Sequence, residues 1–599
     1  MVDLHLFSKS VNTGNPDGNH ERSNKMIEQE SLKLEINVPI KMRDGVILRG
    51  DVWRPDDDKQ HPAILTRLPY NKSNFFASGG GYMNFQRFVR AGYACIAQDC
   101  RGTGDSGGEF FPWRDDTTDG YDTVEWIASQ PWSDKNVGMI GFSALAGTQW
   151  NAAITQPPHL KVICPAMTSA IYRGVPFLEN GVFLLWVFLQ YYLGMCANTL
   201  QRSTLPAEKL ASLRERFKPM MDDIDGLVRY LPLKDVPVNE IADELGLPPF
   251  YSGFFDNIDN EDFWETYRSP VPIEKVVCPA LHMTGWYDVP LATVVASYHE
   301  MQKRGGSELA RKNQRLLIGP WVHGGGLPAG VETIGIKPSD GGDITGFHQK
   351  WFDYWLKGID NGLMEDPPVR IFVMGDNVWR DENEWPLSRT QYTDLYFHSC
   401  GDANTRHGGG ILDMKPPAEE QPDIYLYDPR NVPYFLERGP VEQAPLETRP
   451  DVLVYTTEPL ETDLEVTGPV AIKLYASSSA PDTDFMGKIV DVWPDGRSIN
   501  LGMVGGVVRA KYRNGEADPS LIEPGRVYEY TINLQPISNV FKAGHRIRIQ
   551  LFSSNFPMWD RNPNTGHSVG QDAEMQVAVQ TIFHTTRFPS HVILPVIPR

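Results

Sequence analysis

Apolar segments alternate with helical patterns along the first two thirds of the chain. Short, nearly continuous apolar runs are typical of strands buried on both faces, and here they recur between stretches with helical apolar spacing. This alternation predicts a parallel sheet covered by helices. The strand-like runs are PAILTRLPY (62–70), YACIAQDC (93–100), VGMIGFS (137–143), LKVICPA (160–166), CPALHMTGWYD (278–288) and RLLIGPWVH (315–323).

The pattern changes in three other regions. Between about residues 168 and 266 it becomes helical with acidic loops, which predicts a helical insert between strands of the sheet. Beyond about residue 385, short alternating segments such as AIKLYASSS (471–479) are separated by Gly, Pro, Asp and Asn turns, which is typical of an all-β sandwich. Residues 1–30 are polar and rich in Asn, Gly and Ser, and we expect them to form a flexible arm.

Composition narrows the class of protein. With 599 residues, the chain is too long for one core and should form two or three domains. A net charge of −20 argues against a nucleic-acid partner, because such proteins need clustered Lys and Arg. The most apolar stretch, GVFLLWVFLQYYLGM (181–195), is shorter than the roughly 18 residues of a membrane span, so we expect no membrane partner.

Cysteine usage indicates a reducing compartment. The six cysteines are scattered, without the paired spacing of a zinc site or the density of a disulfide scaffold. We interpret them as reduced core residues of a cytoplasmic protein. They are Cys95, Cys100, Cys164, Cys196, Cys278 and Cys400.

A lone serine stands at a tight strand-to-helix turn in GMIGFSALAGTQW (138–150). In α/β-hydrolases such a turn lifts a nucleophilic serine above the sheet, next to the N-terminus of a helix. Gly141 provides the first glycine of the G-x-S-x-G motif, but Leu145 replaces the second. An ordinary serine in a β–α turn therefore fits the motif alone as well as a nucleophile does.

Two further residues complete the order of an α/β-hydrolase triad. A serine needs a base, and the base needs an orienting carboxylate, in the chain order Ser, Asp or Glu, His. Asp288 and His323 follow Ser143 in that order, each at the end of a strand-like run. The alternatives are that Asp288 only caps the next helix and that His323 is a surface residue.

Three other motifs are interpreted as decoys. Gly102–Gly107 matches G-x-G-x-x-G, but EFFPW follows where a dinucleotide-binding helix would begin. HGGG occurs at 323–326 and at 407–410, after the serine, whereas the lipase oxyanion motif precedes it. Residues 115–126 resemble a calcium loop, but Trp126 stands where the bidentate glutamate belongs. We therefore expect no organic cofactor and no metal.

Several of these segments together carry a family resemblance. RGTGDSGGEF, DGYDTVEWIASQPWSDKNVGMIGFS, GWYD, GPWVHGG and MGDNVWRDENEWPL occur in this order, followed by LEVTGPVAIKLYASSSAPDTDFMGKIVDVWPDGRSINL. The chain resembles, from about Leu34 to its end, the CocE/NonD family of cocaine esterase, glutaryl acylases and X-Pro dipeptidyl-peptidases.

The resemblance implies an α/β-hydrolase fold with an inserted helical cap and a C-terminal β jelly-roll sandwich. Together with the pattern changes, it divides the chain into an arm, a catalytic domain in two pieces, a cap and a sandwich. Their ranges are 1–30 for the arm, 31–167 and 267–384 for the catalytic domain, 168–266 for the cap, and 385–599 for the sandwich.

The resemblance also assigns the site. It places the nucleophile on Ser143, the acid on Asp288 and the base on His323. The oxyanion hole falls on the backbone N–H of Ala144 and the hydroxyl of Tyr70 in RLPYNK. Many members have a tyrosine directly after the nucleophile and a glycine three residues after the nucleophile. This chain has Ala144 and Ala146 at those positions, so the resemblance does not define the shape of its acyl pocket.

Aromatic residues of the insert provide a candidate substrate pocket. We expect them to enclose an apolar acyl or aryl group, although packing of the insert onto the sheet would explain them equally well. The candidate pocket residues are Phe177, Phe183, Trp186 and Phe188 of the insert, together with Trp286 of the GWYD segment.

The sequence thus predicts a serine hydrolase that cleaves an ester or amide of a small organic molecule through an acyl-enzyme. The alternatives are an X-Pro-type dipeptidyl aminopeptidase, an acyltransferase or thioesterase that acts on a metabolite, and a non-catalytic binding protein on a hydrolase scaffold. The sequence does not determine the oligomeric state, and a homo-oligomer is one alternative.

Overall fold

The protein is described by a computed structural model that covers residues 32–170, 177–266, 271–516 and 518–599. The arm expected at 1–30 lies outside the described residues, as do residues 171–176 of the expected cap. Across the described ranges, no helix combines the length and apolar character that crossing a membrane requires.

The N-terminal part of the first sheet contains six strands and four helices. β3 is buried at all eight positions, as its continuous apolar run predicts for a central strand. The elements are β1 (Leu32–Lys41), β2 (Ile47–Pro55), β3 (His61–Leu68), α1 (Lys72–Ala77), α2 (Phe85–Arg90), β4 (Ala94–Asp99), α3 (Asp116–Ala128), β5 (Ser133–Phe142), α4 (Ala144–Ala153) and β6 (Leu160–Ala166).

A helical layer follows, which we call the cap. Its core consists mostly of aromatic and aliphatic side chains of the cap's own helices. It contains a short hairpin of β7 (Leu178–Glu179) and β8 (Val182–Phe183), then α5 (Leu185–Arg202), α6 (Ala207–Asp222), α7 (Ile224–Arg229), α8 (Val238–Glu244) and α9 (Glu261–Thr266), with 3-10 turns at Leu233–Asp235 and Phe255–Asn257.

The chain then returns to the first sheet. The elements are β9 (Ala280–Tyr287), α10 (Leu291–Arg304), α11 (Glu308–Lys312), β10 (Gln314–Val322), α12 (Ile344–Lys357), β11 (Val369–Val373) and β12 (Val378–Glu382), with 3-10 turns at Ile273–Lys275, Val331–Ile334 and Pro338–Gly341.

The ten strands run in the order β1-β2-β4-β3-β5-β6-β9-β10-β11-β12. The strands from β4 to β11 are parallel, while β1, β2 and β12 join the two ends antiparallel. The alternating pattern predicts the parallel centre, but it does not predict the antiparallel ends. Because β5, β9 and β10 all point the same way, their carboxyl ends meet at one edge of the sheet.

The C-terminal part is built almost wholly from strands. β15 alternates buried and exposed positions, as expected when one sheet face meets a core and the other meets solvent. The elements are β13 (Gln391–His398), β14 (Ile411–Asp413), β15 (Asp423–Tyr427), α13 (Ala444–Glu447), β16 (Leu453–Thr456), β17 (Leu464–Gly468), β18 (Ala471–Ser478), β19 (Asp484–Val492), β20 (Ser498–Asn500), β21 (Gly506–Arg509), a 3-10 turn at Ala510–Tyr512, β22 (Tyr528–Asn533), β23 (Ile537–Phe541), β24 (Arg546–Phe552), β25 (Ala578–Phe583) and β26 (His591–Ile597).

These fourteen strands form one hydrogen-bonded system, and all of their pairings are antiparallel except that of β14 with β16. The predicted fold class, an α/β-hydrolase sheet with a helical insert and a C-terminal β sandwich, is confirmed.

The sandwich is joined to the first sheet by a shared core and by backbone hydrogen bonds. Trp286 of β9 packs on Trp385 with ring centroids 6.0 Å apart. Beyond the end of β11, Met374 N donates to Ser538 O over 3.0 Å, and Val540 N donates back to Met374 O over 2.8 Å. The core is therefore continuous between the two parts.

The cysteines differ from the expectation at one position. All six are free, and five are buried, but Cys400 is exposed. Cys400 follows β13 in a turn instead of lying inside an apolar strand, so the interpretation as a core residue is wrong for it. Its neighbours are Ser399 and Gly401, which are typical of a surface turn.

Candidate active site

Ser143 occupies the sharp turn between β5 and α4. Its backbone has φ 55° and ψ −128°, which is unfavourable for a residue with a side chain. The turn is tight because a Cβ on Gly141 would lie only 2.6 Å from the Leu145 Cβ. Leu145, which stands where the motif has its second glycine, is fully buried, and the absence of a Cβ on Gly141 leaves room for it. The serine is thus held in the strained conformation of a nucleophile elbow.

Asp288 and His323 are brought together at the neighbouring strand ends. Asp288 Oδ1 lies 2.8 Å from His323 Nδ1, and Asp288 Oδ2 accepts a hydrogen bond from Thr284 Oγ1 at 2.9 Å. The Asp288 side chain is completely buried, whereas that of His323 is 40% exposed. Because the buried carboxylate binds Nδ1, it is Nε2 of His323 that is left to interact with other groups.

The His323 loop packs against the elbow. The His323 ring lies edge-on to Phe142, the residue before Ser143, with centroids 6.0 Å apart. Gly324 N contacts Met167 Sδ at 2.9 Å, and Ser143 N donates to Ala166 O at 3.0 Å. The ends of β5, β6 and β10 therefore form one packed group.

Tyr70 lies beside the serine at the end of β3. Its phenol is partly buried, and the Ser143 side chain is close enough to influence its pKa. Burial raises the pKa of Tyr70, an effect that the Ser143 side chain partly offsets. The phenol therefore stays protonated at neutral pH and keeps a proton to donate.

A small cavity adjoins the first residue of α4. Its volume of about 10 Å³ is close to the minimum for one water molecule. The N–H of Ala144 belongs to the first turn of α4, where backbone donors have no partner within the helix. The lining residues are Pro69, Phe110, Pro112, Trp113, Asp116, Ala144, Thr148 and Tyr191.

The one charged residue among those lining residues is already paired. Asp116 Oδ1 lies 3.2 Å from Arg67 Nη1, and the Arg67 side chain is fully buried on β3. Arg67 also donates to Gln98 Oε1 at 2.8 Å and to the Asp116 carbonyl at 3.1 Å. The negative charge of Asp116 is therefore balanced by the buried guanidinium of Arg67.

The five candidate pocket residues lie elsewhere. None of them lines the cavity beside Ala144. Phe183, Trp186 and Phe188 are buried in the cap core, where the Phe183 and Phe188 rings lie 5.1 Å apart. Phe177 comes nearest, because its ring lies 6.1 Å from that of Tyr191, which does line the cavity.

Trp286 departs from the expectation most clearly. It is 1% exposed, and its indole N–H donates to Phe372 O at 2.6 Å. The ring is drawn into the core between the first sheet and the sandwich, and the assignment of Trp286 to the substrate pocket is corrected on that ground. Packing against the sandwich is a long-range contact that the local pattern around GWYD does not reveal.

The decoy motifs have structural explanations. Residues 115–126 belong to α3 and the residue before it, where Asp119 binds Arg101 through Oδ1 at 2.6 Å. His407 lies exposed in a loop of the sandwich. In the ranges that the structure describes, no group of three or more His, Cys, Asp or Glu side chains is arranged to hold a metal ion.

Sequence reasoning missed three side chains next to the site. Thr284, Arg67 and Asp116 were not singled out, although Thr284 could have been noted, since it lies four residues before Asp288. Arg67 begins RLPYNK, three residues before Tyr70, and an arginine inside an otherwise apolar strand is a signal for a buried ion pair.

Family models match both parts of the chain. The model described as "X-Pro dipeptidyl-peptidase (S15 family)" matches residues 44–325, and that of the "X-Pro dipeptidyl-peptidase C-terminal non-catalytic domain" matches residues 361–593. Cocaine esterase of Rhodococcus sp. (strain MB1 Bresler) is 38% identical over 94% of this chain and 98% of its own length. The chain belongs to the cocaine esterase and S15 peptidase family. It is a serine hydrolase that acts on ester or amide substrates.

Two solved structures share the fold of this chain. An aminopeptidase from a Thaumarchaeota archaeon of marine sediment superposes with a TM-score of 0.76 at 25% identity, covering 99% of this chain and 100% of its own. An α-amino acid ester hydrolase superposes with a TM-score of 0.73 at 23% identity, covering 98% and 100%, and shows the shared fold. Both superpositions extend over nearly the whole of this chain, so the overall fold is shared with these two proteins.

Proposed function

We propose that this family member is a serine esterase in which Ser143 is the nucleophile, His323 the general base and Asp288 the acid that orients it. The observation that carries the proposal is the buried Asp288 carboxylate, shared between Thr284 and His323. A carboxylate on Nδ1 fixes the tautomer whose Nε2 can accept the serine proton. The strained backbone of Ser143 supports its role as nucleophile, since such strain concentrates at functional sites.

We assign the oxyanion hole to Tyr70 and Ala144. The Tyr70 phenol lies near the serine side chain, and its raised pKa keeps it protonated, so it can donate to an oxyanion that forms on the substrate carbon that Ser143 attacks. The Ala144 N–H lies at the N-terminus of α4, where the helix dipole favours negative charge. Two donors from different elements then converge on one oxygen.

The reaction follows from these positions. Ser143 Oγ attacks the ester carbonyl while His323 Nε2 takes its proton, and the oxyanion is held by Tyr70 and Ala144. Collapse breaks the bond to the alcohol, which receives the proton from His323. A water molecule then attacks the acyl-serine with His323 again as base, which releases the acid and restores Ser143.

As the substrate of this site, an ester is favoured over a peptide from which an X-Pro peptidase would remove the amino-terminal dipeptide. A free amino terminus carries a positive charge that a buried site must pair with a carboxylate. Asp116, the charged residue that lines the cavity beside Ala144, already binds Arg67. The relative at 38% identity is named cocaine esterase, whereas the putative Xaa-Pro dipeptidyl-peptidase of Bacillus cereus is 22% identical.

A matched substrate panel tests the proposal. We expect measurable kcat/KM for p-nitrophenyl acetate, butyrate and benzoate, and a value for Gly-Pro-p-nitroanilide no higher than the background, because that amide with its free amino terminus is the substrate type that an X-Pro peptidase requires. Ser143→Ala serves as the background for both. A higher value for the Gly-Pro amide would contradict the ester assignment and favour the peptidase.

Two broader points belong to the same proposal. We also propose the division into an arm at 1–30, a catalytic domain at 31–167 and 267–384, a cap at 168–266 and a sandwich at 385–599. The described helices and strands support the last three of these parts, and the arm lies outside the described residues. A cytoplasmic location is supported by six free cysteines, because oxidising compartments favour disulfides.

A further inference from the structure

Lys72 is a fully buried lysine two residues after Tyr70. Its ammonium donates to Asn37 Oδ1 at 2.6 Å, to Asp105 Oδ2 at 3.0 Å and to Asp99 Oδ2 at 3.2 Å. Asp51 adds a third carboxylate at 3.6 Å. Burial alone would lower the pKa of Lys72, but these carboxylates outweigh it and the net shift is upward, so the ammonium stays charged. The group is a largely buried ion cluster, and its lysine stands two residues after the proposed oxyanion-hole residue Tyr70.

The same cluster holds the backbone that carries Tyr70. Lys72 N donates to Asp99 Oδ1 at 2.7 Å, so both ends of the lysine are tied to the residue that ends β4. Asn71, between Tyr70 and Lys72, has φ 64°, a conformation that few residues with a side chain adopt. Strain of this kind persists only where the surroundings enforce it.

The glycine-rich loop at 102–107 completes the cluster. Asp105 N donates to Asp99 Oδ2 at 3.0 Å. Gly104 has φ 49°, and a Cβ there would lie 2.3 Å from the Asp99 carboxylate. The glycine is therefore needed for close approach to Asp99, which gives this decoy motif a role within the cluster.

The loop is also bound to the cap. The Arg202 guanidinium, at the end of α5, donates to Gly102 O and, at 2.8 Å, to Ser106 O. Contacts therefore run without a gap from the cap through the loop and Asp99 to Lys72. A displacement of this loop would reach the backbone of Tyr70.

We propose that Lys72 is a positioning residue for the oxyanion hole, because the cluster it forms with Asp99 and Asp105 fixes the backbone of residues 70–72 and keeps the Tyr70 hydroxyl at Ser143. The inference rests on the proposed function, in which Tyr70 stabilises the oxyanion. A donor misplaced by about 1 Å can cost about 100-fold in rate. A loss of Lys72 should therefore affect kcat through Tyr70.

The test is a double-mutant cycle on p-nitrophenyl acetate, measured well below the melting temperature of each variant. We expect Lys72→Met to lower kcat about 10- to 100-fold and to change KM less than about 3-fold. In the Tyr70→Phe background, the same substitution should cause no further loss, because the hydroxyl that it misplaces is already absent.

Lys357 provides the matched control. It is largely buried and binds Asp353 Oδ1 at 2.8 Å, and it also bonds Ala91 O just before β4. It thus lies at the opposite end of the strand that Asp99 ends. Lys357→Met should lower stability and leave kcat unchanged. If Lys72→Met does not fold, Asp105→Asn replaces it, since the Asp105 side chain is 46% exposed and its loss weakens the cluster from the surface.

The outcomes separate the inference from the function it rests on. Normal kcat in folded Lys72→Met, or in Asp105→Asn when that variant replaces it, overturns the inference. The inference is also overturned if Lys72→Met lowers kcat by the same factor in the unsubstituted protein and in Tyr70→Phe, because the effect would then not act through the Tyr70 hydroxyl. A Tyr70→Phe enzyme with the kcat of the unsubstituted protein would instead refute the role of Tyr70 itself.

Discussion

Asp288 Oδ1 lies 2.8 Å from His323 Nδ1, although 35 residues separate the two in the chain. They meet because β9 and β10 are adjacent and parallel, with Gly285 opposite Gly319. The register shifts between Gly319 and Val322, next to the histidine. Irregularities of this kind re-aim side chains near functional sites.

Removal of the Ser143 hydroxyl should abolish turnover and leave the fold intact. Ser143→Ala deletes one partly exposed oxygen at a turn whose geometry is enforced by Gly141 and Leu145. We expect no labelling by a fluorophosphonate probe and a melting temperature close to that of the unsubstituted protein. Ser129→Ala, at an exposed serine after α3, is the control that should still be labelled. Labelling of Ser143→Ala would show that another residue is the nucleophile.

Loss of the Tyr70 hydroxyl should slow the chemical step. Tyr70→Phe keeps the ring and removes one proposed oxyanion donor, which typically costs about 100- to 1000-fold in rate. We expect kcat to fall by that factor while KM changes little, measured by steady-state kinetics on an ester. An unchanged kcat with a raised KM would make Tyr70 a binding residue. Tyr392→Phe, on the exposed face of the sandwich, controls for the substitution.

Replacement of the orienting acid should cost orders of magnitude in rate. Asp288→Asn keeps the size of the side chain, but its amide can donate to His323 and favour the wrong tautomer. We expect kcat to fall about 1000- to 10000-fold, with circular dichroism unchanged. Asp495→Asn, in an exposed turn of the sandwich, should keep full activity. Near-normal turnover in Asp288→Asn would require another acid beside His323.

The sandwich should not be separable from the catalytic sheet. Gln535, between β22 and β23, donates to Val289 O at 2.8 Å and thereby supports the segment after Asp288. A protein shortened to end at Asp381 would also expose the Trp286 core. We expect it to be insoluble on expression. Soluble, active protein of that length would refute the prediction.

A buried histidine of the sandwich should make stability depend on pH. His584 is fully buried, with Nε2 2.9 Å from Asp423 Oδ2 and Nδ1 3.1 Å from Glu420 Oε2. Burial lowers the pKa of His584, but the two carboxylates outweigh it and the net shift is upward. A raised folded-state pKa stabilises fully below the unfolded value of about 6.5, and this stabilisation is lost as the pH rises through the folded pKa.

Calorimetry at pH 6 and pH 8.5 checks this expectation. The melting temperature of the unsubstituted protein should fall between these pH values, and the fall should be smaller in His584→Gln. A difference of 1 kcal/mol corresponds to about 2 to 4 °C for a cooperative unit of roughly 150–250 residues, and to a smaller shift where the sandwich unfolds together with the catalytic sheet. His407→Gln, at an exposed loop histidine, should behave like the unsubstituted protein. Identical pH responses of all three proteins would show that His584 makes no such contribution.

The strand-helix alternation and the order of Ser143, Asp288 and His323 could be found in the sequence. A strand buried on both faces needs a continuous apolar run, and a nucleophile elbow needs glycine at a fixed offset, so both leave local traces. The family resemblance added Tyr70 and Ala144. These local signals were enough to predict the fold class and to name the candidate site.

The tertiary structure decided which side chains surround that site. Trp286 packs into the sandwich interface, and the aromatic residues of α5 pack mainly within the cap, because long-range packing determines which face of an element is covered. Thr284 at Asp288, Arg67 behind Asp116 and the Lys72 cluster likewise depend on partners from separate strands. A buried charge is tolerated only where the fold supplies its partner, and that partner can lie anywhere in the chain. Local sequence pattern determines elements, whereas the pairing of buried polar groups is determined only once those elements are packed together.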